Sequence, residues 1–249
     1  MTRIKVRGLC QGYSGKHVIS DLKLDIDRGV VAMLGPNGAG KSTLLRTLAT
    51  VVPPSAGVVE ILGHDVSTAR SARAARAEIG YLPQDFGFLP SFTVHEFVQY
   101  CAWLRGMSGK NASEAASLAI TAVGLSDVAG LRLRKLSGGM LRRCGIAQAV
   151  AGFPEVVLLD EPTAGLDPVQ RVEFRALLRR LGQSAVVVIS THLVEDVAAA
   201  CNQVHVLKSG HIRFSGSPEA LAAAAAPSAA GDTPLERGYV TVLEEPVAA

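Results

Sequence analysis

Two short stretches carry residue types that do chemistry together. The first, GPNGAGKS, runs from Gly35 to Ser42 and has the form G-x-x-x-x-G-K-[ST]. Gly35, Gly38 and Gly40 let the backbone turn its N–H groups inward around phosphate oxygens, and a helix opening near Lys41 adds its positive end. Lys41 is expected to reach the β- and γ-phosphates of a nucleotide, and the Ser42 hydroxyl to ligate Mg2+. The second stretch, VVLLDE, is an apolar run that ends in Asp160 and Glu161. A carboxylate at the carboxyl edge of a sheet suits the Mg2+ shell of such a loop, which assigns Asp160 to the metal. Glu161, next in the chain, is the nearest candidate for orienting a water and taking its proton. His192 ends another apolar run, in VVVISTH, from which a ring N–H can donate to the γ-phosphate or to the water.

These residues need strands to present them. Val30–Gly35, Val156–Asp160 and Ala185–Ser190 are continuous apolar runs of the kind found in buried parallel strands. IKVRGL and VISDLKLDI near the start alternate like exposed-face strands, VVEILG and IGYLPQ read as further strands, and SARAARAE reads as a short helix. Between about Thr93 and Leu136 the strand signals stop. TVHEFVQYCAWLRGM and NASEAASLAITAVGL are helical, with starts expected near Thr93 and Ser113, of which only Thr93/Glu96 has capping-box form. The pattern predicts a mostly parallel sheet interrupted by a helical insert. Past Pro218 a short helix is expected, then a loose Ala/Pro/Gly/Ser remainder.

Composition narrows the classes. The chain has 249 residues, 48% of them hydrophobic, enough for one α/β domain with an insert. A net charge of +3 with scattered basic residues gives no reason to expect nucleic acid as a partner. Cys10, Cys101, Cys144 and Cys201 lie far apart, without zinc or disulfide spacing, so reduced thiols are expected. The first residues, MTRIKVRGLCQGY, lack the apolar core of a signal peptide, and no run approaches the ~18 apolar residues of a membrane span.

One motif remains. LSGGM, Leu136–Met140, bares a backbone to an anion at the start of the helical run GGMLRRCGIAQAV, yet no lysine completes it. Taken in order, GPNGAGKST, Gln84 in YLPQ, LSGGM, LLDEP, AGLD and His192 resemble the ATP-binding-cassette (ABC) ATPase family over roughly residues 3–218. The resemblance implies an α/β fold: a P-loop NTPase (RecA-like) parallel sheet core, an N-terminal antiparallel β subdomain and an inserted α-helical subdomain. It implies a nucleotide-binding domain over 1–220, with the insert at about 93–140, and an Ala-rich tail over 221–249. ATP and Mg2+ are the implied ligands. Gly35, Pro36, Asn37, Gly38, Ala39, Gly40, Lys41, Ser42 and Thr43 would cradle the phosphates, and Tyr13 would stack on adenine. Gln84 corresponds to a glutamine that touches Mg2+ and the attacking water. Ser137, Gly138 and Gly139 would clamp the γ-phosphate held by the cradle of a second subunit, and Asp167 lies in a loop that crosses to it. The implied assembly is a head-to-tail pair, of two copies or of related subunits, burying two ATPs. Met140 stands where the family usually has Gln.

The same resemblance extends, through IGYLPQDFGFLPSFTVHEF, to the subgroup that works with separate multi-pass permeases, often exporters. It implies an energising ATPase peripheral to the inner face of the cell membrane. A soluble ABC ATPase acting on protein or nucleic acid is the alternative, weakened by the single cassette and the lack of a long insert. A GTPase or phosphotransferase is disfavoured by LSGGM and by the missing N-K-x-D motif. Phe97, Tyr100 and Trp103 share helical spacing and are expected in the insert's core. Phe86, Phe88 and Phe92, in the loop QDFGFLPSF, are expected to face a partner groove.

Overall fold

The computed structural model describes residues 2–13 and 16–245. A four-stranded antiparallel sheet contains β1 (Ile4–Tyr13), β2 (Lys16–Ile26), β4 (Ala56–Ile61) and β5 (His64–Asp65), in the order β2-β1-β4-β5. A six-stranded sheet contains β3 (Gly29–Leu34), β6 (Ile79–Leu82), β7 (Val156–Asp160), β8 (Val186–Thr191), β9 (Gln203–Lys208) and β10 (His211–Gly216), in the order β10-β9-β3-β8-β7-β6. Its strands are parallel except for the edge strand β10. The helices are α1 (Lys41–Leu48), α2 (Ala69–Ala77), α3 (Val94–Leu104), α4 (Gly109–Ala122), α5 (Gly138–Val150), α6 (Pro168–Gly182), α7 (Val194–Ala200), α8 (Pro218–Ala223) and α9 (Pro234–Glu244).

The apolar runs predicted to be buried are buried on both faces, because successive side chains of a strand point opposite ways. Val31 and Met33 of β3, Val156 and Leu158 of β7, and Val186 and Val188 of β8 enter a core shared with the antiparallel sheet, α1 and α2. The residues between them, Ala32, Val157 and Val187 among others, enter a second core with α3 to α7. Helix α3 opens on the Thr93/Glu96 capping box that the sequence predicts. Helix α4 starts earlier than expected: its N-cap is Ser108, whose hydroxyl accepts from the Asn111 amide, and not a residue near Ser113. Ala112, Ala115 and Ala116 already belong to its buried face, so the helix has to begin ahead of them.

Two other expectations are corrected. Phe97 is buried, but Tyr100 and Trp103 are 40% and 55% exposed. The inner stripe of α3 is Val94, Phe97, Val98 and Ala102, and at about 100° per residue Trp103 lies on the opposite side of the helix from Val94. Conversely Phe86, Phe88 and Phe92 are half-buried and pack against the core. Nor does the chain beyond residue 220 stay a loose tail. Pro234–Glu244 folds as α9, opened by a Thr233/Glu236 capping box with Pro234 in the first turn, and buries Leu235 and Val242 in the core that holds Leu221. The hairpin β9–β10, with left-handed Ser209 and Gly210 at its turn, also went unread in the sequence. All four cysteines are free.

Helix α9 crosses α8 so closely that a Cβ at Gly238 would lie 1.8 Å from the Leu221 carbonyl oxygen. Gly238→Ala should therefore cost about 1–3 kcal/mol of stability and lower the thermal midpoint by several degrees. An unchanged midpoint would show that α9 is not docked on α8.

Candidate active site

The parallel register sets the site. Leu34 at the end of β3 lies opposite Thr191 at the end of β8, and Asp160 at the end of β7 lies opposite Ser190. The carboxyl ends of three adjacent strands thus release the 35–40 loop, Glu161 and His192 along one edge, where α/β sheets place their ligands. Asn37, Gly38, Ala39, Gly40, Lys41, Ser42 and Thr43 line a cleft there together with Gln84, Glu161 and His192.

The loop needs its glycines. A Cβ on Gly35 would lie 2.3 Å from the Leu207 carbonyl oxygen, and Gly40, the N-cap of α1, has φ 107°, which disfavours any side chain. Lys41 is 6% exposed, and its ammonium donates to the Gly35 carbonyl at 2.6 Å and the Pro36 carbonyl at 3.1 Å. Burial pushes its pKa down, opposed by the Glu161 and Asp160 charges. An ammonium this poorly hydrated gains from an anion brought against it.

Ser190 organises the two acids. It is fully buried, and its hydroxyl donates to Asp160 Oδ1 and accepts from the Glu161 amide at 2.9 Å. Glu161 is left-handed, with φ 48°, a conformation uncommon for a non-glycine residue, and its amide also donates to the Ser190 carbonyl at 3.2 Å. Its carboxylate is 3.0 Å from His192 Nδ1 and 3.9 Å from Lys41 Nζ. A carboxylate, a histidine and a buried lysine therefore share one corner of the cleft. The oxygen donors Ser42 and Asp160 suit a hard divalent cation such as Mg2+, and Ser190 engages one of the two Asp160 oxygens.

The remaining residues named from the sequence lie elsewhere. Tyr13 is exposed at the end of β1, its ring 6.0 Å from the Arg46 guanidinium carbon, and does not line the cleft, where Val18 does. Ser137 is the N-cap of α5 and accepts from the Met140 amide at 3.3 Å. Ser137 and Gly138 are exposed, and Gly139 fits so tightly that a Cβ would meet Gln170 Oε1 at 2.9 Å and the Gly165 carbonyl at 3.2 Å. Asp167 caps α6 by accepting from the Gln170 amide. The LSGGM and AGLD segments thus touch each other, and none of Ser137, Gly138, Gly139 and Asp167 lines the cleft of its own chain. Ser190 was missed in the sequence. Only the pairing of β7 with β8 reveals that the serine two residues before His192 faces Asp160.

A glycine loop between strand and helix, an acid pair at the next-but-one strand end and a histidine between them define a P-loop ATPase. The ABC transporter family matches the chain over residues 19–164. The chain is 35% identical, over 223 residues, to the Nod factor export ATP-binding protein I of Bradyrhizobium diazoefficiens, covering 88% of this chain and 71% of that one. It is 31% identical to the lipopolysaccharide export system ATP-binding protein LptB of Escherichia coli K12, covering 88% and 92%. A bacterial ABC transporter cassette solved as a dimer, MJ0796, superposes with a TM-score of 0.79 at 26% identity, covering 86% and 98%. The chain belongs to the ABC transporter family, as an ATP-binding and ATP-hydrolysing subunit.

Removing the Ser190 hydroxyl strips a charge-assisted bond from Asp160 and one anchor from Glu161. Such bonds contribute about 1.5–3 kcal/mol, so Ser190→Ala should lower kcat for ATP roughly 10- to 100-fold while the protein stays folded. Steady-state ATPase assays with circular dichroism check this, and an unchanged kcat would remove Ser190 from the machinery.

Proposed function

We propose that this chain energises a separate membrane permease, in the direction of export, by binding and hydrolysing ATP in a head-to-tail pair. The carrying observation is the division of parts: Lys41, Glu161 and His192 face one cleft, whereas Ser137 and Gly138 face solvent away from it. A clamp that cannot serve its own cradle is suited to a partner's. The dimeric relative supports the pairing, and the likeness to LptB and the Nod factor protein, both of export systems, supports the direction.

The geometry supports the roles of the cleft residues, and the family resemblance supports that of Tyr13. The loop 35–43 holds the phosphates, and Lys41 exchanges its two backbone carbonyls for phosphate oxygens. Glu161 accepts the proton of the attacking water, and His192, hydrogen-bonded to Glu161, fixes the direction of that carboxylate. Tyr13 stacks on adenine. Gln84 enters the cleft from the loop after β6, where its amide would reach the attacking water and the metal. Ser42 and Asp160 would hold Mg2+, which neutralises phosphate charge when bound. Ser137 and Gly139 of the second chain close over the γ-phosphate, with Asp167 in the loop beside them.

A docking surface for the permease lies on the insert. Leu89, Tyr100 and Leu104 are exposed around a groove walled by half-buried Phe86 and Phe88. Trp103, 55% exposed, stacks on Tyr100 with ring centroids 6.0 Å apart. Aromatic and large aliphatic anchors of this kind dominate interfaces, and an amphipathic helix is the partner an open apolar groove admits. No helix among the described residues is long and apolar enough to cross a membrane, so on this reading the permease supplies the membrane span. The chain would sit on the inner face of the cell membrane, where ATP is.

Two measurements test the reading. Glu161→Gln keeps size and hydrogen-bonding reach but cannot take a proton, so kcat should fall about 10²–10⁴-fold with ATP still bound. Lys41→Ala should lose ATP binding itself. Wild-type turnover in either would refute the site. Tyr100→Ser with Trp103→Ser should leave the fold intact but abolish co-purification with the membrane permease. Retained co-purification would move the docking surface elsewhere.

A further inference from the structure

Arg142 is an internal residue of α5, the helix that opens with Ser137, Gly138 and Gly139, and it is 7% exposed. Among the described residues, all four hydrogen bonds from its guanidinium go to backbone carbonyls, in two separate segments. Nη1 donates to the Gln84 carbonyl at 2.8 Å and the Pro83 carbonyl at 3.3 Å. Nη2 donates to the Glu161 carbonyl at 2.6 Å and to the Asp160 carbonyl. Burial pushes the guanidinium pKa down, opposed by Asp160, Asp85 and Glu161, so the cation is kept in an expensive place.

Each bonded segment has a job in the reading above. Pro83 and Gln84 open the loop that carries Phe86 and Phe88 into the docking groove. The Asp160 and Glu161 carbonyls belong to the acid pair. Ser190 holds Glu161 by its amide, and Arg142 holds the same residue by its carbonyl. The left-handed backbone of Glu161 is thus pinned at both ends, and one of the pins is shared with the docking loop. A planar, rigid fork is suited to this because it bonds two directions at fixed angles; a lysine ammonium on a flexible stem is not.

We propose that Arg142 is a positioning residue that transmits the state of the 83–88 docking loop to the carboxylate of Glu161. The inference rests on the proposed roles of Glu161 and of the groove. When a partner shifts the loop, the Pro83 and Gln84 carbonyls move against the guanidinium, and the guanidinium moves the Glu161 peptide. The side chain of Glu161 then swings relative to the phosphates. The same guanidinium ties this motion to α5 and so to the LSGGM clamp at its start.

The test is a kinetic double-mutant cycle on the full chain with MgATP. Arg142→Lys keeps the cation but loses the fork. It should lower kcat about 10- to 100-fold with little change in KM, the size of effect seen when an outer-shell support is removed. Phe88→Ser, which loosens the docking loop, should lower kcat in the native background and have no further effect in the Arg142→Lys background, because the link is already cut. Effects that multiply overturn the proposal, since two merely structural losses would do that. So does wild-type kcat in Arg142→Lys, or a Phe88→Ser chain that turns over like the native one. Arg142→Gln and thermal midpoints of each variant guard against a folding defect in one of them. Glu161→Gln run alongside separates the two readings. Full turnover in Glu161→Gln sinks the assigned base, whereas a non-additive Arg142/Phe88 cycle supports the link on its own.

Discussion

The register between β3, β8 and β7 is the constraint on which the rest depends. A parallel strand shifted by one residue turns every side chain to the other face. Here that shift would carry Ser190 away from Asp160, and with it the hydroxyl that orders both acids. Val156, Leu158, Val186 and Val188 fill one core while Val157, Leu159, Val187 and Ile189 fill the other, and the register that packs them is the one that sets Ser190 opposite Asp160. The core thereby sets the chemistry to within a residue without touching it.

Charge is concentrated where that register delivers it. Lys41 and Arg142 are both poorly hydrated cations, and both are satisfied chiefly by backbone carbonyls. They differ in freedom. Lys41 borders the cleft and can exchange its carbonyls for phosphate oxygens, whereas Arg142 lies behind Glu161 and keeps its partners. On the proposed reading one is a ligand-binding group held in reserve, the other a brace. The LSGGM segment adds a helix end of unused N–H groups, pressed by Gly139 against Gly165 and Gln170 next to the AGLD loop.

Much of this was legible in the sequence because its signals are local. GPNGAGKS carries its own strand, loop and helix, and the apolar runs before Asp160 and His192 announce strands buried on both faces. What was not legible required knowing which strands are neighbours. Ser190 and Arg142 act across 30 and 18 or more residues of chain, and nothing in VVVISTH or GGMLRRC says so. The aromatic expectation failed for a different reason. Spacing alone puts Phe97, Tyr100 and Trp103 on related turns, but the width of the buried stripe on α3 decides which of them is covered. The alanine-rich run after Pro218 masked the signal in TPLE, a capping box with proline in its first turn, that opens α9.

On the proposed reading one chain's cradle is completed by another chain's LSGGM. Size-exclusion chromatography with light scattering on the Glu161→Gln protein, with and without saturating ATP, tests it directly. A monomer is expected without ATP and a dimer with it, the dimer lost again when Ser137→Arg is added, because a bulky cationic side chain fills the space between signature and phosphate. A Glu161→Gln protein that binds ATP and stays monomeric, alone and with its membrane partner, would contradict it.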